Sequence, residues 1–249
     1  MAERKGVYFV SDVHLGLELG DPQDRERRFV SFLAGIPRDT TRALYMLGDV
    51  WDFWYEYKYV VPKGYVRVFA ELLSLMDGGV EVYFLPGNHD MWCFSYFEEL
   101  GIKVLSQPCL VELDSKVFCL GHGDGLGPVP RGYTFMHALF ASKVVQFMFG
   151  SLLHPTVAFT LGRHWSGSKR KSRPPYRFRG ADEPLYKFAE EYASSTHVDY
   201  FIFGHYHSAV DETLPCGARL LMTESWIDGS PYWYWDGISV LGGHSKNSE

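Results

Sequence analysis

A chain of 249 residues, 46% apolar and 16% aromatic, holds material for a substantial core, which excludes an intrinsically disordered protein. No stretch carries the roughly 18 uninterrupted apolar residues of a membrane-spanning helix, and the N-terminal MAERKGVYFVSD lacks the apolar segment of a secretory leader. The four cysteines, Cys93, Cys109, Cys119 and Cys216, show no CxxC spacing and read as reduced thiols of a cytosolic protein.

In chain order, GVYFVSD starts as a buried strand and ends on a polar residue. DRERRFVSFLAGI (24–36) follows with apolar residues at helical spacing: Phe29, Phe32, Leu33 and Ile36. ALYMLGD (43–49) is a second strand, GYVRVFAELLSLM (64–76) a second helix, and VEVYFLPGN (80–88) a third strand. This alternation predicts βαβ units and a mostly parallel sheet. After about residue 103 the texture changes. VLSQPCLVEL, KVFCLGHGD, DYFIFGHYHSAVDE and ARLLMTES are closely spaced strands with turn signals between them, and PYWYWDGISVL adds a hairpin about Asp236-Gly237. They predict a second sheet packed on the first. Within them, residues 131–163 are apolar and helical, broken at His154-Pro155, and lead into the basic WSGSKRKSRPPYRFRG, which reads as a loop. A helix resumes at EPLYKFAEEYASS (183–195).

The net charge of −6 is unevenly spread. From Gly125 to Ala181 there is no Asp or Glu; nine of the 24 lysines and arginines lie there, which leaves 15 against 30 acids elsewhere. A basic segment in an otherwise acidic chain calls for an anionic partner.

The polar residues at the strand ends form a series: Asp12 and His14 (SDVHLG), Asp49 and Asp52 (LGDVWD), Asn88, His89 and Asp90 (PGNHD), His122 and Asp124 (GHGD), His205 and His207 (FGHYH). In open α/β sheets such ends converge on one crevice. Carboxylates, imidazoles and one amide oxygen suit Mn²⁺, Fe²⁺ or Zn²⁺, and there are more ligands than one ion needs. Two ions about 3.5–4 Å apart serve in-line displacement at phosphorus. No GxSxG points to a side-chain nucleophile.

The order DxH…GDxxD…GNHD…H…GHxH resembles the calcineurin-like metallophosphoesterase superfamily over residues 1–125 and 198–235. The resemblance implies a four-layer α/β/β/α sandwich, here a single domain with a helical, basic insertion, 125–181, as a lid. It implies that Asp12, His14, Asp49 and His207 hold one divalent ion and Asp49, Asn88, His122 and His205 the other. Manganese is the expected metal, with iron or zinc as alternatives. His89, oriented with Asp52, then acts at the phosphate, and a hydroxide bridging the ions is the nucleophile.

Chemistry beside the site narrows the substrate. An apolar insertion (Phe135, Met136, Leu139, Phe140, Val144, Phe147 and Leu152 among its residues) next to a phosphate site suits an acyl chain joined to a phosphate, and its basic end suits a diphosphate or an anionic membrane. HGDGLGPVPRGYTFMHALF…LLHPTVAF…HWSGSKRKSR resembles the UDP-2,3-diacylglucosamine pyrophosphohydrolases of lipid A synthesis, especially their Bacteroidetes-type branch. That family cleaves the diphosphate to UMP and 2,3-diacylglucosamine 1-phosphate. The resemblance implies a lipid-linked nucleotide as substrate, Asp124, Trp165, Ser166, Ser168 and Lys169 as its contacts, and a cytoplasmic enzyme on the inner face of the cytoplasmic membrane. Nucleic acid is not the expected partner. One departure is His89, where the best-known proteobacterial members have Arg. The alternatives are another phosphatase or phosphodiesterase, or a non-catalytic scaffold of the same fold.

Overall fold

The computed structural model describes residues 4–170, 176–227 and 229–245, without the side chains of 163 and 165–170. The first part alternates as expected: β1 (Gly6–Val10), α1 (Pro22–Gly35), β2 (Thr41–Met46), α2 (Val66–Asp77), β3 (Glu81–Phe84), the single turn α3 (Tyr96–Glu99) and β4 (Lys103–Val104). α1 starts where Asp21 accepts the N–H groups of Gln23 and Asp24, with Pro22 at the first helical position. β5 (Cys109–Leu113) and β6 (Lys116–Leu120) lead to three insertion helices, α4 (Arg131–Ala141), α5 (Lys143–Leu152) and α6 (Pro155–Arg170). The chain ends with α7 (Pro184–Ser195), β7 (Tyr200–Phe203), β8 (Val210–Thr213), β9 (Arg219–Met222), β10 (Pro231–Trp235) and β11 (Val240–His244).

Two sheets form, ordered β11-β10-β1-β2-β3-β4 and β5-β6-β7-β9-β8. β1 to β4 run parallel, as do β6, β7 and β9. The period-2 alternation of buried strands assigns their faces. Val7, Phe9, Ala43 and Tyr45 meet Phe118, Leu120, Tyr200 and Ile202 between the sheets. Val10, Leu44 and Met46 face the apolar stripes of α1 and α2. Cys119, Phe201 and Phe203 face Leu185 and Ala189 of α7. The result is helix, sheet, sheet, helix: a four-layer sandwich.

Three expectations needed correction. The last hairpin joins the first sheet, because β10 pairs antiparallel with β1. Tyr8 of β1 packs its ring on Tyr232 and Tyr234 of β10, at 5.6 and 4.7 Å, and cross-strand aromatic pairs of this kind fix a partner. VLSQPCLVEL is two strands in different sheets, Lys103–Val104 beside β3 and Cys109–Leu113 beside β6. The start of the basic loop is helical, since α6 runs on to Arg170. Lys169 and Arg170 are good helix formers, and cations favour a helix C-terminus.

Candidate active site

The loops leaving β1, β2, β3, β6 and β7 meet at one end of the sandwich, bringing together Asp12, His14, Asp49, Asn88, His122, His205 and His207. Three groups have ligand atoms all within 4.8 Å of one another: Asp12, His14 and His207; Asp12, Asp49 and His122; and His14, Asp52 and His89. Asp12 Oδ1 is 3.1 Å from His207 Nε2, and the Nε2 atoms of His14 and His207 are 3.2 Å apart. On the other side His122 Nε2 lies 3.3 Å from His205 Nδ1 and 3.4 Å from Asp49 Oδ2. Asp49 Oδ2 is also 3.8 Å from His14 Nε2, so this carboxylate reaches toward the first group, while Asp12 belongs to both.

The backbone is strained to make this arrangement. Asp12, His14, Asp49, His205 and His207 all have φ between 50° and 71°, a region that non-glycine residues rarely occupy. The motif glycines are required by closeness. A Cβ on Gly87 would collide with the Asp49 carboxylate, and one on Gly204 with that of Asp12.

Asp90 explains how the loops are held. It is fully buried and accepts the N–H groups of Gly87, Asp49, Val50 and Trp51, at 2.7 to 3.2 Å. One carboxylate thereby clamps the loop after β3 to the loop after β2. Burial and the neighbouring Asp49 push its carboxyl up to about 7, against the pull of its N–H donors. Arg25 of α1, also fully buried, does the same for the loop after β1 by donating to the carbonyls of His14, Leu17 and Leu19. Asp90 belongs to the PGNHD motif, which does not tell its task, and Arg25 is one of several charges in DRERR with nothing in the sequence to mark it as buried.

The donor set fits two cations. An imidazole nitrogen facing a carbonyl must be the donor, so His122 gives Nδ1–H to Leu47 O at 2.9 Å and turns Nε2 toward the cluster. Asn88 Oδ1 is buried and has no hydrogen-bond partner among the described residues, an orphan acceptor that a cation would satisfy. Burial would raise the Asp12 and Asp49 carboxyls, but the surrounding imidazoles, His207 first for Asp12 and His122 first for Asp49, hold both well below the usual range. Burial, then His122, lowers His205 to about 4, which leaves it a neutral ligand. His122 is moved the other way: burial opposes its charge, but Asp49 holds its pKa well above the usual value.

Beside the cluster, His89 Nδ1 lies 2.8 Å from the backbone carbonyl of Asp52, which leaves Nε2 for the site. The Asp52 carboxylate is nearer His14 Nδ1 (3.3 Å) than His89 Nδ1 (3.8 Å). Asp124 is buried behind the site; Gln107 Nε2 donates to its Oδ1 and Tyr133 OH to its Oδ2. Trp165, Ser166, Ser168 and Lys169 lie in the last turns of α6, where their side chains are outside the described residues.

A cavity of about 580 Å³ opens from the cluster under the insertion. Asp52, Asn88, His89, Tyr133 and His137 form its polar end. Phe53, Trp54, Met91 and Trp92 of the sandwich and Met136, Phe140, Phe149, Ala158, Leu161 and Gly162 of the insertion form an apolar remainder. Gly162 lets α6 close on the sandwich, since any Cβ there would lie 2.5 Å from the Phe53 ring. The sequence marked the insertion as apolar; Phe53, Met91 and Trp92 escaped notice because they follow metal motifs in loops without periodicity.

A two-sheet sandwich that gathers carboxylates and imidazoles at its strand ends defines a metal-dependent phosphoesterase. The chain belongs to the calcineurin-like phosphoesterase family, whose model matches residues 6–209. Among curated proteins it is 38% identical to the UDP-2,3-diacylglucosamine hydrolase of Porphyromonas gingivalis, over 96% of this chain and 97% of that one. It is 29% identical to the enzyme of the same name from Stenotrophomonas maltophilia, over 85% of this chain and 86% of that one. Among solved structures, an archaeal phosphodiesterase 12% identical in sequence superposes with a TM-score of 0.50, covering 96% of this chain and 99% of that one, a likeness of fold alone.

Proposed function

We propose that this protein hydrolyses the diphosphate of UDP-2,3-diacylglucosamine to UMP and 2,3-diacylglucosamine 1-phosphate, a step of lipid A biosynthesis, by attack of water at the α-phosphorus. The observation that carries the reading is the largely apolar cavity that reaches the cluster at Asn88, with Asp52 and His89 beside it, a shape that takes an acyl chain while its headgroup phosphate reaches the metals. The extended identity to hydrolases of that name supports it.

Asp12, His14, Asp49 and His207 would hold one divalent ion, and Asp49, Asn88, His122 and His205 the other, manganese being our choice. Such a pair supplies a water of lowered pKa and neutralises charge on the phosphate oxygens. The chain's own residues do the rest. His89, its Nδ1 fixed on the Asp52 carbonyl, presents Nε2 to a phosphate oxygen and stabilises charge there. The Asp52 carboxylate steadies His14 from behind the metal. Asp124 acts on the substrate's side of the site through the α4 residues it anchors, and Trp165, Ser166, Ser168 and Lys169 remain the proposed contacts of the headgroup. The insertion serves as a lid whose walls exclude water from the acyl chain.

We further place the protein on the inner face of the cytoplasmic membrane. No single helix among the described residues is long and apolar enough to cross a bilayer. Yet Phe135, Val144, Phe147 and Leu152 are each about two-thirds exposed or more, on a segment free of acidic residues. An apolar face bordered by cations suits an anionic leaflet.

The test is direct. Purified protein with Mn²⁺ is expected to release UMP from UDP-2,3-diacylglucosamine. A preparation that hydrolyses bis(p-nitrophenyl) phosphate readily but releases no UMP would overturn the substrate while leaving the phosphoesterase class intact.

A further inference from the structure

Resting on the substrate reading above, we propose that His137 is a binding residue for the second phosphate, the one that departs with the acylated sugar. His137 and Tyr133 lie one turn apart on α4, with rings stacked at 6.1 Å and 26°. Both reach the same oxygen, Asp124 Oδ2: the Tyr133 hydroxyl at 3.1 Å and His137 Nε2 at 3.5 Å. That carboxylate is only 4% exposed. Gln107 Nε2 fixes it by donating to Oδ1 at 2.7 Å and to the Asp124 carbonyl at 2.9 Å, while Gln107 Oε1 accepts Gly123 N–H at 2.8 Å. The imidazole is therefore carried on a rigid anion.

His137 also belongs to the cavity lining, and its side chain is 41% exposed. Position gives it a job. The Tyr133 ring centroid is 6.5 Å from that of His205, at the metal cluster. His137 stacks in turn on Tyr133, and Met136 and Phe140 beside it on α4 belong to the apolar lining. Metal cluster, Tyr133, His137 and apolar wall thus follow in the order of a diphosphate-linked lipid: scissile phosphorus, second phosphate, acyl chain. With the second phosphate bound, the imidazole spans the two groups, one ring nitrogen against the Asp124 carboxylate and the other donating its N–H to a phosphate oxygen, a charge-assisted hydrogen bond.

The competing account is that His137 only ties α4 to the sandwich. Calorimetric titration separates the two, with 2,3-diacylglucosamine 1-phosphate and the same lipid lacking the phosphate as probes. In metal-loaded wild type the phosphorylated lipid should bind more tightly. His137→Phe keeps a ring against Tyr133 but removes both nitrogens, and should shrink the affinity ratio between the two lipids about tenfold. His137→Arg, which restores N–H donors at the same place, should recover most of that ratio. A ratio unchanged in His137→Phe, whether both affinities hold or both fall together, overturns the assignment. A wild type that binds neither lipid and releases no UMP fails at the substrate reading itself, and the role of His137 falls with it.

Discussion

At the residue scale, the site is built from strained backbone and from buried carboxylates and imidazoles that hold one another's charges. Asn88→Ala removes the orphan acceptor and His122→Ala a nitrogen between Asp49 and His205. Each is expected to lower phosphoester turnover by at least about a hundredfold, the scale for losing a group that positions transition-state charge, with far-ultraviolet circular dichroism unchanged. Wild-type rates in either variant would refute the two-metal reading. Metal binding should also release protons. Asp49 holds the His122 pKa well above its usual value, so the ion must displace a proton, and affinity should rise with pH until His122 is deprotonated in the free protein. Titrating Mn²⁺ in buffers of different ionisation enthalpy counts that release. The candidate ligands were legible in the sequence because each ends an apolar run. The task of Asp90 was not, because an acceptor of four backbone N–H groups from two loops is defined only once the loops meet.

At the element scale, the insertion is held by a few directed bonds. Among the described residues, α4 and α5 have no fully buried side chain. Aromatic donors of the sandwich reach the carbonyls that helices leave unsatisfied at their ends: Trp92 Nε1 donates to Phe140 O at 2.8 Å and Tyr57 OH to Leu153 O at 3.1 Å. Tyr55 OH binds Gln146 O between them. Trp92→Phe should cost about 1 kcal/mol, the net worth of one such bond. Its sign would be faster proteolytic cleavage between α4 and α5, with turnover of bis(p-nitrophenyl) phosphate little affected. Equal cleavage rates would show that these bonds do not hold the insertion. Sequence periodicity found its helices but missed the break at Ser142, where no proline or glycine stands. The strand ends were clear for a different reason: burial on both faces leaves continuous apolar runs that stop abruptly.

At the scale of the whole molecule, an acid-free run of nine bases and several of the exposed large apolar side chains fall on one segment. Phe147 and Leu152 are 73% and 74% exposed. Replacing both with serine should reduce co-sedimentation with phosphatidylglycerol vesicles severalfold, since each buried apolar side chain contributes about 1.5–3 kcal/mol. Release of UMP from detergent-solubilised substrate should change less. Undiminished sedimentation would place the membrane contact elsewhere. The first sheet was legible up to β3 because parallel strands and helices alternate in sequence. The return of β10 to the edge of β1 was not, because pairing across more than two hundred residues leaves no local trace.

The insertion leaves the sandwich after β6 and rejoins it at α7, and these two points touch: a Cβ on Gly127 would run into the backbone of Pro184. Everything between them is a detour whose departure and return share one doorway. None of the seven candidate ligands lies within it. On the function proposed above, the architecture largely separates what is hydrolysed from how it is hydrolysed. A different detour at the same doorway would give the same chemistry a new substrate without displacing a single ligand.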